Sequence, residues 1–209
     1  MNTLKEFIGA ESYEILFSHT DQYGSPMEDM EDVIYCEVED ISEFKIKKLQ
    51  SLLTYNTDFK SIYVSLEASK ILSAWGVCEG IEYFQFFINN ELYKDGIISP
   101  HRLHANVDDT FSKLLWSCSC FIARLNDDYP GRLEYSKPLV EKLVISVLKL
   151  LRDVSMIIDF IFEIDGTVNW YAYKKELVET RDYLESLSDD NFNKRYNLQS
   201  VNSLLTKLN

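Results

Sequence analysis

The side chains able to bind a metal or attack a substrate are few, and their spacing decides what they can do. His101 and His104 stand three residues apart, and Cys118 and Cys120 follow within 20 residues; by type these four would suit zinc. Histidines at i, i+3 can share a face. Cysteines at i, i+2 in a helix cannot, because at 100° per residue they point about 200° apart. Cys118 falls in an apolar stripe, whereas Cys120 falls with Lys113, Ser117 and Arg124. The pair cannot close on one ion while the helix holds. The expectation is one buried thiol, one boundary thiol, two loop histidines and no metal.

Nucleophilic and phosphate chemistry lack their frames as well. The chain contains no G-x-S-x-G, no G-x-x-x-x-G-K-[ST] and no G-x-G-x-x-G, the arrangements that expose a serine or cradle a phosphate. The helical di-metal pattern needs Glu-x-x-His on two helices, and none of His19, His101 and His104 follows a suitably placed Glu. Asp127-Asp128 and Asp189-Asp190 read as turn residues that hydrogen-bond the backbone. The chain is expected to be no enzyme and to carry no cofactor.

One stretch does suggest a role. Residues 1–43 hold twelve acids and a single base, Lys5, a net charge of −11; the remaining residues carry only −2 of the total −13. Even scatter would signal solubility alone, but concentration signals a surface. In Glu28–Glu43 the acids alternate with Met27, Met30, Val33, Ile34, Tyr35 and Val38, unlike a solvated tail. Acids mixed with aromatic anchors suit a protein interface. Glu28, Asp29, Glu31, Asp32, Tyr35, Glu37, Glu39 and Asp40 are therefore the expected contacts for a basic protein partner, since opposite fields speed encounter and set register. Nucleic acid and anionic lipid, which demand a basic footprint, are unsuited as direct partners.

The elements that must position these residues read as helices. Glycine (7) and proline (4) are scarce, which favours long helices over a many-turned β fold. Leu66–Asn90 is the organising hairpin: Ala68, Ile71, Leu72 and Trp75 recur at helical spacing, then Ile81, Phe84, Phe87 and Ile88, with a break at Trp75-Gly76. Before it, the Val33–Val38 segment leans to a short helix, although its residues also favour strand. Asp40 and Glu43 resemble a capping box that opens a helix to about Tyr55, with Phe44, Leu49, Leu52 and Leu53 inward.

Beyond the hairpin, Lys94–Asn106 reads as a loop. Asp108 or Asp109 caps a helix carrying Phe111, Leu114, Leu115, Cys118, Phe121, Ile122 and Leu125. Asn126–Gly131 is a turn, and Ser136 with Pro138 opens a central apolar helix over Leu139–Leu151. Val154–Ile164 continues as a further helix, Val168–Leu187 as an amphipathic one, and residues 198–208 as a short terminal one. No 18-residue window in Leu139–Ile164 is free of charge, so that span cannot cross a membrane. MNTLKEFIGAES lacks the apolar core of a signal peptide, and four cysteines form no disulfide framework. A cytosolic protein with reduced thiols is expected.

The order Ala68, Leu72, Gly76, Ile81, Phe84, Ile88 resembles a single HEAT-type repeat, over about 25 residues; repeat folds need at least about three such units. Small size, an acidic N-terminal part and HEAT-like helices are together similar to the all-helical immunity proteins of bacterial polymorphic toxins, those paired with contact-dependent growth-inhibition toxins. The resemblance implies a non-enzymatic inhibitor that binds a basic nuclease toxin domain and occludes it stoichiometrically. The alternative is a helical scaffold or regulatory subunit without an antitoxin role. In either case the expected fold is all-α, with HEAT-like hairpins or an irregular α-solenoid in one domain over residues 1–209. Residues 1–43 would form its acidic part and 44–209 its hairpin array.

Overall fold

The computed structural model describes residues 3–93, 109–153, 169–188 and 192–208. The loop expected over Lys94–Asn106, the helix expected over Val154–Ile164, and His101 and His104 lie outside them. The fold is all-α: ten helices and two 3₁₀ turns, without a strand among the described residues. In chain order the first eight helices are α1 Thr3–Ile8, α2 Ala10–Phe17, α3 Met30–Ile34, α4 Glu43–Ser51, α5 Phe59–Ala74, α6 Cys78–Asn89, α7 Asp109–Asp127 and α8 Pro130–Leu150. They are followed by α9 Lys174–Ser186 and α10 Phe192–Lys207.

The expected hairpin is α5 and α6. Asp58 starts α5 by accepting a hydrogen bond from Ser61 N at 3.0 Å. Gly76 ends it with φ +76°. Its amide donates to Ser73 O and that of Val77 to Leu72 O, both at 2.9 Å, the paired closure of a Schellman motif. Gly80 does a different job inside α6. A β-carbon there would meet the Ser73 hydroxyl, Ser69 O at 2.6 Å and Ser73 N at 2.7 Å. Buried Ser65, Ser69 and Ser73 give α5 a small-residue face, and on it α6 crosses closely at Gly80.

Packing then repeats. α5 lies against α7 and α6 against α8, while α7 and α8 form a second antiparallel pair. The stack buries Phe84, Phe87, Phe111, Phe121, Leu115, Leu143 and Val147 completely or nearly so, each contributing about 1.5–3 kcal/mol by transfer from water. α9 packs on α8, and α10 on α9. α8 is buried along Val140, Leu143, Val144, Val147 and Leu148, with Lys142 and Lys149 exposed, as its sequence stripe requires.

A second cluster gathers Ile8, Leu16, Val33, Cys36 and Leu49 around Val64, Ala68, Ile71 and Leu72 of α5 and Trp75 at its C-terminal cap. Thus α5 serves both clusters: Ile62 belongs to the first, and its other apolar face carries the acidic N-terminal part.

Boundaries differ from the sequence expectation at α4, at α8 and within Val168–Leu187. α4 is capped by Ser42, whose hydroxyl accepts from Lys45 N at 3.3 Å, and ends at Ser51. Asp40 is not its cap. Phe44 does not face inward: it is 66% exposed and lies under the Lys48 ammonium, 4.6 Å from the ring centroid. α8 begins at Pro130, which takes the proline-tolerant first turn, and Pro138 falls inside the helix. Pro138 and Glu134 are both exposed, so the carbonyl that loses its partner can be hydrated. Finally, Val168–Leu187 is not one helix. Asn169 caps a 3₁₀ turn over Trp170–Tyr173, by accepting from Tyr171 N at 3.2 Å, and α9 follows.

Candidate partner-binding face

Between α2 and α4 the chain makes a short acidic path across the end of α5. Asp21 shapes the preceding turn, its Oδ1 accepting from Tyr23 N and Ser25 N at 2.8 Å each. Asp29 opens α3 by accepting from Asp32 N at 3.0 Å, while Asp32 Oδ2 accepts from Glu28 N at 3.0 Å. Those two acids stay exposed and stabilise the positive end of the helix they start. The apolar side of α3 turns inward: Val33 and Ile34 are buried, and the Trp75 indole donates to Val33 O at 2.7 Å. Helix, not strand, is what the acids ride on.

Of the eight expected contacts, Glu28, Asp29, Glu31, Asp32, Tyr35, Glu37 and Glu39 are exposed. Asp40 is the exception. It is 8% exposed, with Oδ1 accepting from Gln22 N at 2.7 Å and Oδ2 from Glu37 N at 3.2 Å. Its carboxylate closes the 3₁₀ turn Val38–Asp40 and ties it to the Asp21–Pro26 turn, so it is a structural residue and not a surface contact. Lys45 braces the same corner by donating to the carbonyls of Thr20 and, at 2.8 Å, Asp40.

The far side of the face comes from α7, which the sequence reading left out. Arg124 Nη2 donates to Cys36 O at 2.6 Å and Ile34 O at 3.5 Å, and Nε to Ala74 O at 3.4 Å. Its Nη1 pairs with Asp128 at 2.7 Å. One side chain thereby joins the acidic segment, α5 and α7. Eight residues earlier, the Trp116 indole donates to the Tyr35 hydroxyl at 3.2 Å, and the two rings meet edge to face at 5.8 Å.

Between these two fastenings runs a groove of about 270 Å³, lined by Tyr35, Cys36 and Glu37 on one side and by Cys120, Ala123, Arg124, Asp127 and Asp128 on the other. Asp127 ends α7 and Asp128 follows in the expected turn; both are exposed, and Asp128 pairs with Arg124 rather than with the backbone. Trp116, Cys120 and Arg124 recur every four residues. That spacing is legible, but it borders the stronger apolar stripe and reads as ordinary solvent face.

Burial raises the Cys36 thiol to about 11, with Arg124 opposing, and raises the Tyr35 phenol, with Cys120 adding to the rise. Both groups are neutral near pH 7, so the charge of the groove is set by its carboxylates and Arg124. Cys118 is buried and Cys120 half-buried. Among the described residues no three His, Cys, Asp or Glu side chains are grouped to hold a metal ion, and no helix is long and apolar enough to cross a membrane.

Compared with protein-family models, with curated proteins and with solved structures, the chain has no match in any of the three.

Proposed function

We propose that this chain is a non-enzymatic binding protein whose acidic face engages a basic protein partner, and that it serves in the cytosol as the immunity protein of a bacterial toxin system. The observation that carries the reading is the acidic face itself. Six exposed carboxylates, those of Glu28, Asp29, Glu31, Asp32, Glu37 and Glu39, with exposed Tyr35, ride on a segment fastened to the helical array at Trp75 and Arg124. A solvated acidic tail needs no such fastening. A recognition surface gains from it, because a held shape loses less entropy on binding.

In this mechanism the carboxylates pair with the Lys and Arg that a nuclease toxin domain uses to hold phosphates, and the bulk of the helical array blocks access to its catalytic centre. The stacking of α5/α6 on α7/α8 fits the HEAT-like array that the resemblance implies. It also favours the second reading, a helical scaffold or regulatory subunit, since stacked hairpins offer long surfaces to any protein.

The test is capture of the partner by the tagged protein from its native host, followed by assay of what co-elutes. A basic domain that cleaves RNA or DNA, and is silenced at a one-to-one ratio, is the expected result. Recovery of housekeeping enzymes alone would overturn immunity in favour of the scaffold.

A further inference from the structure

We infer that the groove between the Tyr35–Glu37 turn and the C-terminal half of α7 is the anchor slot of the acidic face, taking one arginine side chain of the basic partner. The inference rests on the proposed function and adds to it the point of closest contact. The acids on and just before α3, Glu28, Asp29, Glu31 and Asp32, are exposed to solvent, where an ion pair contributes little. The groove is different: its carboxylates stand on two walls, Glu37 on one and Asp127 and Asp128 on the other, and Ile34 and Ala74 also line it.

Arg124, the one cation lining it among the described residues, does not fill it. Arg124 is 13% exposed and directs its donors to three backbone carbonyls and Asp128; exposed Asp127, and exposed Glu37, whose carboxylate also accepts from the Asp40 amide, face an incoming charge. Among the described residues Asp127 accepts from the neighbouring Asn126 amide alone, at 3.0 Å. The rim supplies the second feature. Tyr35 is 61% exposed, yet Trp116 holds it by a hydrogen bond and an edge-to-face contact. A fixed, exposed aromatic ring beside paired carboxylates suits a guanidinium, whose flat face stacks while its fork bonds to acids. About 270 Å³ admits one such head and its stem, but not a segment of folded chain.

The experiment titrates the intact protein with hexa-arginine at low salt and follows the indole N–H resonances by NMR. Glu37→Gln/Asp127→Asn removes two wall charges, and Glu6→Gln/Glu11→Gln removes the same charge from exposed positions on α1 and α2. The expected result is a shift of the Trp116 indole signal on binding, together with affinity about tenfold weaker for the wall variant and nearly unchanged for the control. Tyr35→Leu, which keeps the charge and removes the ring face, should weaken binding as well. Equal losses in the wall and control variants would overturn the slot and leave the acidic-face reading standing. An unmoved Trp116 signal under saturating peptide would overturn it too. Failure of the proposed function is read separately, from the identity of the captured partner.

Discussion

Arg124 and His19 show how single side chains hold the acidic part in place. The Arg124 guanidinium satisfies the carbonyls of Ile34, Cys36 and Ala74 and the Asp128 carboxylate. Arg124→Gln should lower the unfolding free energy by about 1.5–3 kcal/mol, read from urea denaturation, since each replaced bond is charge-assisted and mostly buried. A change within error would mean that solvent replaces those contacts at no cost.

His19 is buried edge-on to Trp75 at 5.6 Å, its Nε2 bonded to Leu16 O at 3.1 Å. Burial lowers its pKa below 6.5; the Leu16 carbonyl opposes that shift and Lys45 adds to it. Below 6.5 the unfolded chain then takes up the proton more readily than the folded one. The stability contribution is complete above that value and is lost as pH falls from it toward the folded pKa. Urea midpoints measured at about pH 7.5 and about pH 5.5 should drop more for the wild type than for His19→Gln; equal drops would contradict the assignment. His19 was legible from sequence only as a lone histidine, because its environment is built from α2, α4 and α5 together.

At the scale of elements, α5 is the shared wall of two clusters, and its crossing with α6 rests on Gly80. Gly80→Ala would push a methyl against Ser69 O and Ser73. Thermal unfolding should reveal a loss of about 1–3 kcal/mol from the forced separation. Gly76→Ala, in contrast, acts through its positive φ and should cost about 1–2 kcal/mol. If Gly80→Ala were neutral, the two helices would not be in close approach.

The apolar spacing of α5, α6, α7 and α8 was plain in the sequence because each stripe repeats without interruption. Other features were not. Phe44 reads as core by type, yet it is exposed at the surface under the Lys48 ammonium. Pro138 reads as a helix start, but Pro130 holds that role and the exposed face tolerates the second proline. α10 begins at Phe192, earlier than its leucines indicate, because its first buried turns use Asn193, Asn197 and Ser200. Asn197 Nδ2 donates to Leu151 O at 3.0 Å. Polar residues that face inward carry no periodic hydrophobic signal.

For the whole molecule, the concentration of acid in residues 1–43 was legible as a count, and seven of the eight residues expected to contact a partner are exposed. The second wall was not legible. Tyr35 and Trp116 are 81 positions apart, and Cys36 and Arg124 are 88 apart, so only the fold reveals that α7 completes the face. The most direct measurement is the salt dependence of association with the captured partner, for the wild type and for Glu28→Lys/Glu31→Lys/Glu37→Lys/Glu39→Lys. If the acidic face is the interface, the variant should associate at least about tenfold more slowly at low salt and show a flattened salt dependence. Unchanged association rates and salt dependence would place the interface elsewhere on the helical array and contradict the central claim.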